Sequence, residues 1–311
     1  MPHVSENKRY TTFNAHLKEV FGEKVYKVTI DAGFTCPNRD GAKGAGGCIY
    51  CYGDRSQTKL IDIPALVAYI QEGMAAIRRK YRANKFLAYF QSYTNTYAPV
   101  DRLEAFYRAA LAQEGIVGLS IGTRPDCVPD DVLDLLESLA QQTYLWVEYG
   151  LQSAHDATLT RLNRGHAFAE FADAVERTRR RRGIRICAHL ILGLPGETRA
   201  QMIETAEIVS RLGAHGVKIH SAHVVKHTVW AEQYARGEFA PMELPEYVQT
   251  VCDVLEHLAP EIVIHRLIGD APRSRYIAPE WCLHKSDALR AIDAELERRD
   301  SWQGKFAVKQ F

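Results

Sequence analysis

A short apolar run followed by an amphipathic helical pattern recurs along most of this chain, and no other feature limits its fold so strongly. The apolar runs cover six segments: 25–31, 85–93, 115–123, 144–152, 185–195 and 216–225. The helical patterns cover Ile63–Tyr81, Val100–Ala112, Pro129–Gln141, Ala167–Arg182, Thr198–Leu212 and Leu244–Leu258. Strands and helices that alternate every 30 residues or so form parallel βαβ units. Six such units predict an α/β fold, either an incomplete barrel or an open wound sheet.

These patterns divide the chain into three parts. Residues 25–258 form the predicted barrel, residues 1–24 lead into it, and residues 259–311 form a C-terminal extension that packs on it. A chain of 311 residues with 46% apolar content can bury a core of this size. We expect no membrane contact, because no apolar run reaches the ~18–20 residues of a membrane span. The net charge of +1 provides no general attraction to nucleic acid or acidic lipid.

Three clustered cysteines, Cys36, Cys48 and Cys51, follow the first apolar run in a glycine-rich segment. Three thiolates are one fewer than fill an ordinary four-iron cluster, and one fewer than close a structural zinc site. The fourth ligand is therefore another residue or a small molecule. An open iron can be chelated by the amino and carboxylate groups of S-adenosylmethionine (SAM). The alternative is a zinc knuckle that takes Cys127 or a histidine as its fourth ligand.

The other cysteines, at positions 127, 187, 252 and 282, are scattered, and the total of seven is odd. Neither fact fits a disulfide framework. The first ten residues also lack the apolar segment of a secretory signal. Reduced thiols and the lack of an export signal predict a cytoplasmic location.

Five motifs occur in this order along the chain: FTCPNRDG, QSYTNTYAP, GTRPDCV, NRGH and RLIGDAPR. Together with the three cysteines they resemble the radical SAM enzymes. More narrowly, they resemble a YhcC-like bacterial group whose core is related to the elongator catalytic subunit and to the oxygen-independent coproporphyrinogen oxidase. The resemblance extends from about Tyr10 to the C-terminal SWQGK. It implies a partial (β/α)6 barrel, similar to a TIM barrel, with a C-terminal extension of loops and a helix.

The resemblance also implies a chemistry. Cys36, Cys48 and Cys51 would hold one [4Fe–4S] cluster, and SAM would be the second cofactor. In such enzymes the reduced cluster cleaves SAM to methionine and a 5′-deoxyadenosyl radical, which abstracts hydrogen from the substrate. The expected activity is that of an oxidoreductase or transferase, and an electron donor such as flavodoxin or ferredoxin is an expected partner.

SAM contacts are implied at the ends of the strands. Arg164 matches an arginine that pairs with the SAM carboxylate, Gln152 matches a ribose-binding glutamine, and His189 stands where the related pattern has a ribose-binding aspartate. Leu192 and Gly193 match the strand that lies along adenine. The other expected contacts are Tyr50, Gln91, Ser92, Thr94, Thr123, Glu148, Ala222 and Val224. A buried salt bridge at position 148 and a core histidine at position 189 are the alternatives that the residue types allow.

Two arginine-rich segments suggest a substrate class. The first is Arg179, Arg180, Arg181 and Arg182, and the second contains Arg273 and Arg275. The end of a helix explains the first without a ligand, and a packed C-terminal cap explains the second. A phosphate-binding surface is the other interpretation. With the elongator-type resemblance these segments favour RNA, in particular a tRNA base turned out of its stack.

Alternatives remain for substrate and for function. A small metabolite or a protein side chain is the alternative substrate. Cys282 is a candidate hydrogen donor, although an inert buried thiol is the ordinary interpretation. An iron–sulfur protein that transfers electrons or senses SAM, or a zinc-stabilised binding module, is the alternative without catalysis.

Overall fold

A computed structural model of the chain describes residues 8–53 and 59–307. Its α-helices are α1 Phe13–Phe21, α2 Ile63–Tyr81, α3 Val100–Leu111, α4 Asp130–Ala140, α5 Asp156–Arg161, α6 Phe168–Arg179, α7 Arg199–Arg211, α8 Val229–Ala235, α9 Leu244–His257 and α10 Lys285–Arg298. Its strands are β1 Val25–Ile30, β2 Lys85–Phe90, β3 Ile116–Thr123, β4 Tyr144–Gln152, β5 Ile184–Leu192, β6 Gly216–Ser221, β7 Val224–Val225, β8 Val263–Arg266 and β9 Tyr276–Ala278. In these ranges, no helix combines the length and the apolar character needed to cross a membrane.

Seven strands form one parallel sheet in the order β1-β2-β3-β4-β5-β6-β8. The sheet curls into a half barrel with helices outside it, which confirms the predicted partial α/β barrel. The sheet has one strand more than the six of the predicted barrel, because β8 comes from residues 261–270, which the sequence predicts as a further strand and turn in the C-terminal extension. Its residues Val263 and Ile264 are buried, so the strand belongs to the packed core. The domain boundary at residue 258 stays a prediction.

Alternate residues of each strand point to opposite faces of the sheet. On β4, Val147 packs in the main core beneath the helices, whereas Glu148 and Gln152 face the inside of the barrel. On β6, Ile219 belongs to the same core and Lys218 faces inward. The alternation therefore places polar side chains inside the barrel while the apolar ones hold the helices against it.

The N-terminal segment covers the gap between the two edge strands, β1 and β8. Thr12 pairs with Ile264 through a backbone bridge, and its hydroxyl caps α1 by accepting a hydrogen bond from the Ala15 N–H at 3.2 Å. Helix α1 contacts both β8 and β1. The unpaired edges of the half barrel are thus covered by the chain itself, which keeps them from pairing with other strands.

Candidate active site

A cavity of about 610 Å³ opens at the carboxyl ends of the parallel strands, where α/β folds bind their ligands. All three clustered cysteines line it. The other predicted contacts that line the same cavity are Tyr50, Gln91, Ser92, Thr94, Thr123, Glu148, Gln152, Arg164 and His189. The fold thus brings residues from the loop after β1 and from the ends of β2, β3, β4 and β5 to one place.

Residues 34–53, here called the cluster loop, carry the three cysteines. The Cys36 carbonyl accepts hydrogen bonds from the Arg39 N–H at 2.8 Å and from the next residue, and the Cys51 N–H donates to the Cys48 carbonyl at 2.9 Å. The Arg39 guanidinium donates to the Cys51 carbonyl at 2.7 Å. Gly47 adopts a φ of +76°, and a Cβ atom there would lie 2.6 Å from Arg39 Nε. A glycine at this position therefore lets the arginine lie inside the loop and support it.

The arrangement of the cysteine sulfurs bears on the two metal hypotheses. Among the described residues, one set of three possible ligand atoms lies within 4.8 Å of one another, and it consists of Glu148, Cys187 and His265 rather than the clustered cysteines. Thiolates on one zinc ion would be about 3.8 Å apart, because each Zn–S bond is about 2.3 Å in a tetrahedron. In a four-iron cluster each thiolate binds a different iron, so wider spacing is required. The clustered cysteines are therefore not gathered around one point as a single zinc ion requires, and they line a cavity that is open to a larger group such as a [4Fe–4S] cluster.

Cys127, the cysteine considered as a fourth zinc ligand, does not line the cavity. It is buried, and its Sγ lies 3.9 Å from Asp126 Oδ1. Burial and the neighbouring carboxylate raise the pKa of this thiol to about 12. Cys127 therefore lies apart from the cavity that the clustered cysteines line.

Arg164 is buried next to Cys48. Its Nη1 lies 3.3 Å from the Cys48 Sγ, and its Nη2 donates to the Gly150 carbonyl at 2.6 Å. Burial acts to raise the pKa of the Cys48 thiol, but the charge and hydrogen bond of Arg164 outweigh it and lower that pKa. The Nε of Arg164 is buried and has no partner in the described residues. A buried guanidinium with a free N–H beside the cysteines is well suited to a carboxylate.

Side-chain hydrogen bonds attach the loop that carries Arg164, residues 162–166, to the rest of the site. The Arg124 Nη1 donates to the Arg164 carbonyl at 2.7 Å, and Arg124 also forms a bidentate ion pair with Asp126, at 2.9 Å for both bonds. The Asn38 amide donates to the Asn163 carbonyl at 2.6 Å. Sequence reasoning missed Arg124 and Asn38 as site residues, although both lie inside motifs that it used, GTRPD and TCPNR.

Glu148 lies at the floor of the cavity, and both of its carboxylate oxygens have protein partners. Oε1 accepts hydrogen bonds from Lys27 Nζ at 2.5 Å and from the Ser120 hydroxyl. Oε2 accepts from Lys218 Nζ at 2.9 Å and from His189 Nε2 at 2.7 Å. Burial would raise the pKa of Glu148, but the two lysines hold it well below its usual range. Glu148 is therefore an ionised buried salt-bridge partner, and its contact with SAM stays a prediction.

His189 and Lys218 are shifted by the same environment. Burial and the Lys218 charge lower the pKa of His189 to about 4, so its imidazole is neutral near pH 7. Its Nε2–H then donates to Glu148, which leaves Nδ1 free to accept a hydrogen bond. Burial lowers the pKa of Lys218 to about 8, and its Nζ also lies 2.5 Å from the Tyr89 hydroxyl. The signal for Lys218, which sequence reasoning missed, is a lysine inside the apolar run GVKIH.

The predicted adenine contacts lie beside the main cavity rather than in its wall. Leu192 belongs to the main core, and the Gly193 N–H points to a methionine sulfur, that of Met202, at 3.2 Å. Ala222 and Val224 pack in a smaller apolar cluster. That cluster adjoins a second cavity of about 210 Å³, lined by Tyr50, Gln152, His189, Ile191, His220, Ser221, His223 and Trp230. The two cavities share the wall residues Tyr50, Gln152, His189 and His220.

Cys282 does not line the main cavity. It is buried, its Sγ lies 3.1 Å from Ser221 Oγ, and burial raises the pKa of its thiol. It lines a neighbouring cavity of about 430 Å³ with Tyr276 and Lys285. Its assignment as a hydrogen donor stays a prediction.

The two arginine-rich segments lie at opposite ends of the barrel. Arg179–Arg182 connect α6 to the amino end of β5, far from the carboxyl ends that surround the cavity. Within this run Arg180 pairs with Glu176, and Arg181 pairs with Asp134 at 2.8 Å. The segment with Arg273 and Arg275 is exposed beside the cavity mouth.

Comparisons with known proteins agree with this geometry. The Radical SAM superfamily model matches residues 36–209, and the Radical_SAM C-terminal domain model matches residues 214–298. The chain belongs to the radical SAM superfamily, whose members use a [4Fe–4S] cluster and SAM. It is 45% identical to YtqA of Bacillus subtilis (strain 168) over 309 residues, which cover 98% of this chain and 95% of that protein.

YhcC of Escherichia coli (strain K12) is 41% identical over 291 residues, covering 93% of each chain. Among solved structures, the Elp3 protein of the archaeon Methanocaldococcus infernus superposes with a TM-score of 0.65 at 17% identity. The superposition covers 90% of this chain and 64% of that one. This likeness shows the fold, and the two relatives show the family predicted from the motifs.

Proposed function

We propose that this protein is an enzyme that binds a [4Fe–4S] cluster through Cys36, Cys48 and Cys51, cleaves SAM reductively and modifies a base of tRNA. The observation that carries the first part is the position of Arg164. Its buried guanidinium, with an N–H that has no partner among the described residues, contacts Cys48, which lines the cavity with the other two clustered cysteines. This is the arrangement expected where a SAM carboxylate meets the open iron of a cluster.

The chain's own residues would bind and orient SAM. Arg164 would pair with the carboxylate, and the buried Thr94 hydroxyl, which also lacks a partner among the described residues, would contact the amino group. Gln152 and the free Nδ1 of His189 face the region between the two cavities, where a ribose would lie. When bound, the cluster and SAM supply one-electron cleavage and a carbon radical.

Features of the cavity mouth support RNA as the substrate. The Arg275 guanidinium lies 5.1 Å from the ring centre of Tyr52, and that of Arg39 lies 5.8 Å from the ring centre of Tyr93. Arginine and aromatic side chains together suit a splayed base and its phosphates. A segment of 84 residues is also 31% identical to a tRNA-2-methylthio-N(6)-dimethylallyladenosine synthase of Shewanella, covering 27% of this chain and 18% of that protein.

The mouth, rather than the Arg179–Arg182 segment, is the proposed RNA contact. A base bound at the opposite end of the barrel would be separated from the cysteines by the sheet interior. Arg180 and Arg181 are also already paired with acidic side chains. Exposed cations beside the opening have neither disadvantage.

Two experiments test the proposal. Protein reconstituted with iron and sulfide, reduced by dithionite, flavodoxin or ferredoxin and supplied with SAM, should release 5′-deoxyadenosine above a control without enzyme. A fully loaded protein that binds SAM but releases no 5′-deoxyadenosine would support an electron-transfer or SAM-sensing role instead.

Nucleoside mass spectrometry of tRNA from a deletion strain should show a missing or altered modification. An unchanged profile, with no tRNA binding in vitro, would favour a small molecule or a protein as substrate.

A further inference from the structure

We propose that the cavity contains a subsite for an anionic group of the substrate, formed by Arg266 of β8 and His220 of β6. The inference rests on the proposed function only in assuming that the substrate enters this cavity. It names a chemical property of the substrate, a carboxylate or phosphate group, that SAM binding does not require.

Arg266 differs from the other cationic residues that line the cavity. Four of them have acceptors for their N–H groups: Arg39 and Arg164 bond to carbonyls, Arg124 to Asp126, and Lys218 to Glu148. Arg266 lines the same cavity and forms neither a hydrogen bond nor an ion pair with any described residue. A half-buried guanidinium without an acceptor is a ready site for an anion.

The acidic residues of the cavity wall do not neutralise Arg266. Glu148 is engaged by Lys27 and Lys218 through its two oxygens. Asp270, the other carboxylate that lines the cavity, pairs with Lys285. The wall near β8 therefore has an excess of positive charge in a region partly removed from water, where a charge interaction is stronger than in bulk solvent.

His220 supplies a second group at the same wall. β6 is the neighbour of β8 in the sheet, with Lys218 in register with Arg266, and His220 follows on the same face two residues later. Its buried Nε2 has no hydrogen-bond partner among the described residues. Burial, with the Arg266 charge, lowers the pKa of His220 well below its usual range. A neutral imidazole can still donate one N–H to an oxyanion.

This subsite is distinct from the proposed place of the SAM carboxylate. Arg164 follows β4 and adjoins Cys48, whereas Arg266 ends β8, three strands further along the sheet. A guanidinium binds both carboxylate and phosphate through paired N–H groups, so both anions are candidates. An anion held on this wall would orient the substrate relative to SAM from the side opposite Arg164.

Arginine modification offers a direct test. Cluster-loaded, SAM-bound protein is treated with phenylglyoxal in the presence of either phosphate or acetate, and adducts are located by peptide mass spectrometry. Arg266 should be protected by at least one of the two anions, and the anion that protects at the lower concentration identifies the group. Arg79, exposed on helix α2 at the outside of the barrel, is the matched control and should react equally with and without anion. No protection of Arg266, or equal protection of both arginines, would overturn the proposal.

Location and function are tested separately. Arg266 also borders a groove beneath α1, so a crystal structure of the SAM-bound protein soaked in phosphate should show the anion between Arg266 and His220. An anion in the groove alone would contradict the subsite.

The variant Arg266→Gln should raise the KM for tRNA at least about tenfold, as expected for a lost charged hydrogen bond, and leave the Kd for SAM unchanged. A loss of SAM affinity instead would move Arg266 into the SAM site. If tRNA does not stimulate SAM cleavage by the wild-type protein, the RNA proposal fails while the modification result still decides the subsite.

Discussion

The guanidinium of Arg164 and the sulfur of Cys48 are in direct contact at 3.3 Å. Arg164→Ala should weaken SAM binding roughly 10- to 150-fold, because a hydrogen bond to a charged group contributes about 1.5–3 kcal/mol. Equilibrium dialysis with labelled SAM under anaerobic conditions measures this Kd. Arg180→Ala removes an exposed arginine at the other end of the barrel and should leave SAM affinity unchanged. Equal affinity in the two variants would exclude Arg164 from the SAM site.

Removal of the three cluster ligands should abolish cluster binding. The triple variant Cys36→Ala, Cys48→Ala, Cys51→Ala lacks every proposed thiolate, and iron analysis with Mössbauer or EPR spectroscopy should find no [4Fe–4S] signal. Cys127→Ala is the control, because this thiol does not line the cavity, and it should bind a full cluster. Retention of iron by the triple variant, or stoichiometric tetrahedral zinc in the native protein, would contradict the assignment.

Glu148 should contribute strongly to the stability of the fold. Glu148→Gln keeps the side-chain shape but leaves Lys27 and Lys218 without their counter-charge, and breaking a buried ion pair costs about 3–5 kcal/mol. Urea unfolding followed by circular dichroism measures the change in the free energy of unfolding. Glu176→Gln breaks the exposed pair with Arg180 and should change stability by less than about 0.5 kcal/mol. Similar stabilities for the two variants would show that the buried network is not structurally important.

His189 should make the protein less stable as the solution becomes acidic. Its folded-state pKa is lowered to about 4, so between pH 6.5 and 4 an unfolded chain binds a proton at this residue that the folded chain does not. Stability is therefore lost as the pH falls through this window. In urea unfolding at pH 7, 6 and 5, His189→Gln should show a shallower decline than the wild type. An identical slope would mean that His189 is protonated equally in both states.

The two arginine-rich segments should differ in their effect on RNA binding. Arg273→Ser with Arg275→Ser removes two charges beside the mouth, and it should reduce the slope of log Kd for tRNA against log salt by about 1 per arginine. Arg180→Ser with Arg182→Ser removes the same charge at the far end of the barrel and should leave the slope unaltered. A flatter slope in the second variant alone would place the RNA contact at the segment Arg179–Arg182 instead.

Local patterns predicted most of the elements. The run 144–152 coincides with β4, and the helical pattern Ile63–Tyr81 coincides with α2, because both depend on periodic burial along a continuous segment. The same reasoning predicts a strand within residues 261–270, but it does not show that β8 joins the main sheet beside β6. Its pairing with β6 depends on contacts between residues distant in the sequence, and a four-residue strand carries little periodicity.

Sequence reasoning predicted the site residues that lie in recognisable motifs. It missed the residues whose position in the site depends on how the strands pack together. The cysteines and Arg164 are visible as motif residues, and they meet in one cavity. Lys218 and Arg266 instead acquire their roles from the inward face of the curled sheet, which no single strand reveals. Arg180 and Arg181 show the opposite case, since two arginines of a conspicuous basic run are paired with acidic side chains, Arg180 with Glu176 of the preceding helix and Arg181 with Asp134 of α4.

Hydrogen bonds between the cluster loop and residues 162–166 couple the two parts of the proposed site. Besides the Asn38 contact, the Asn163 amide donates to the Gly47 carbonyl at 2.8 Å, and the Ile49 N–H donates to the Leu162 carbonyl at 3.1 Å. An event that orders one loop thus orders the other, and by linkage each ligand strengthens the binding of its neighbour. We therefore expect a cluster held by the loop to strengthen SAM binding near Arg164, and a chain without iron and sulfide to bind SAM weakly.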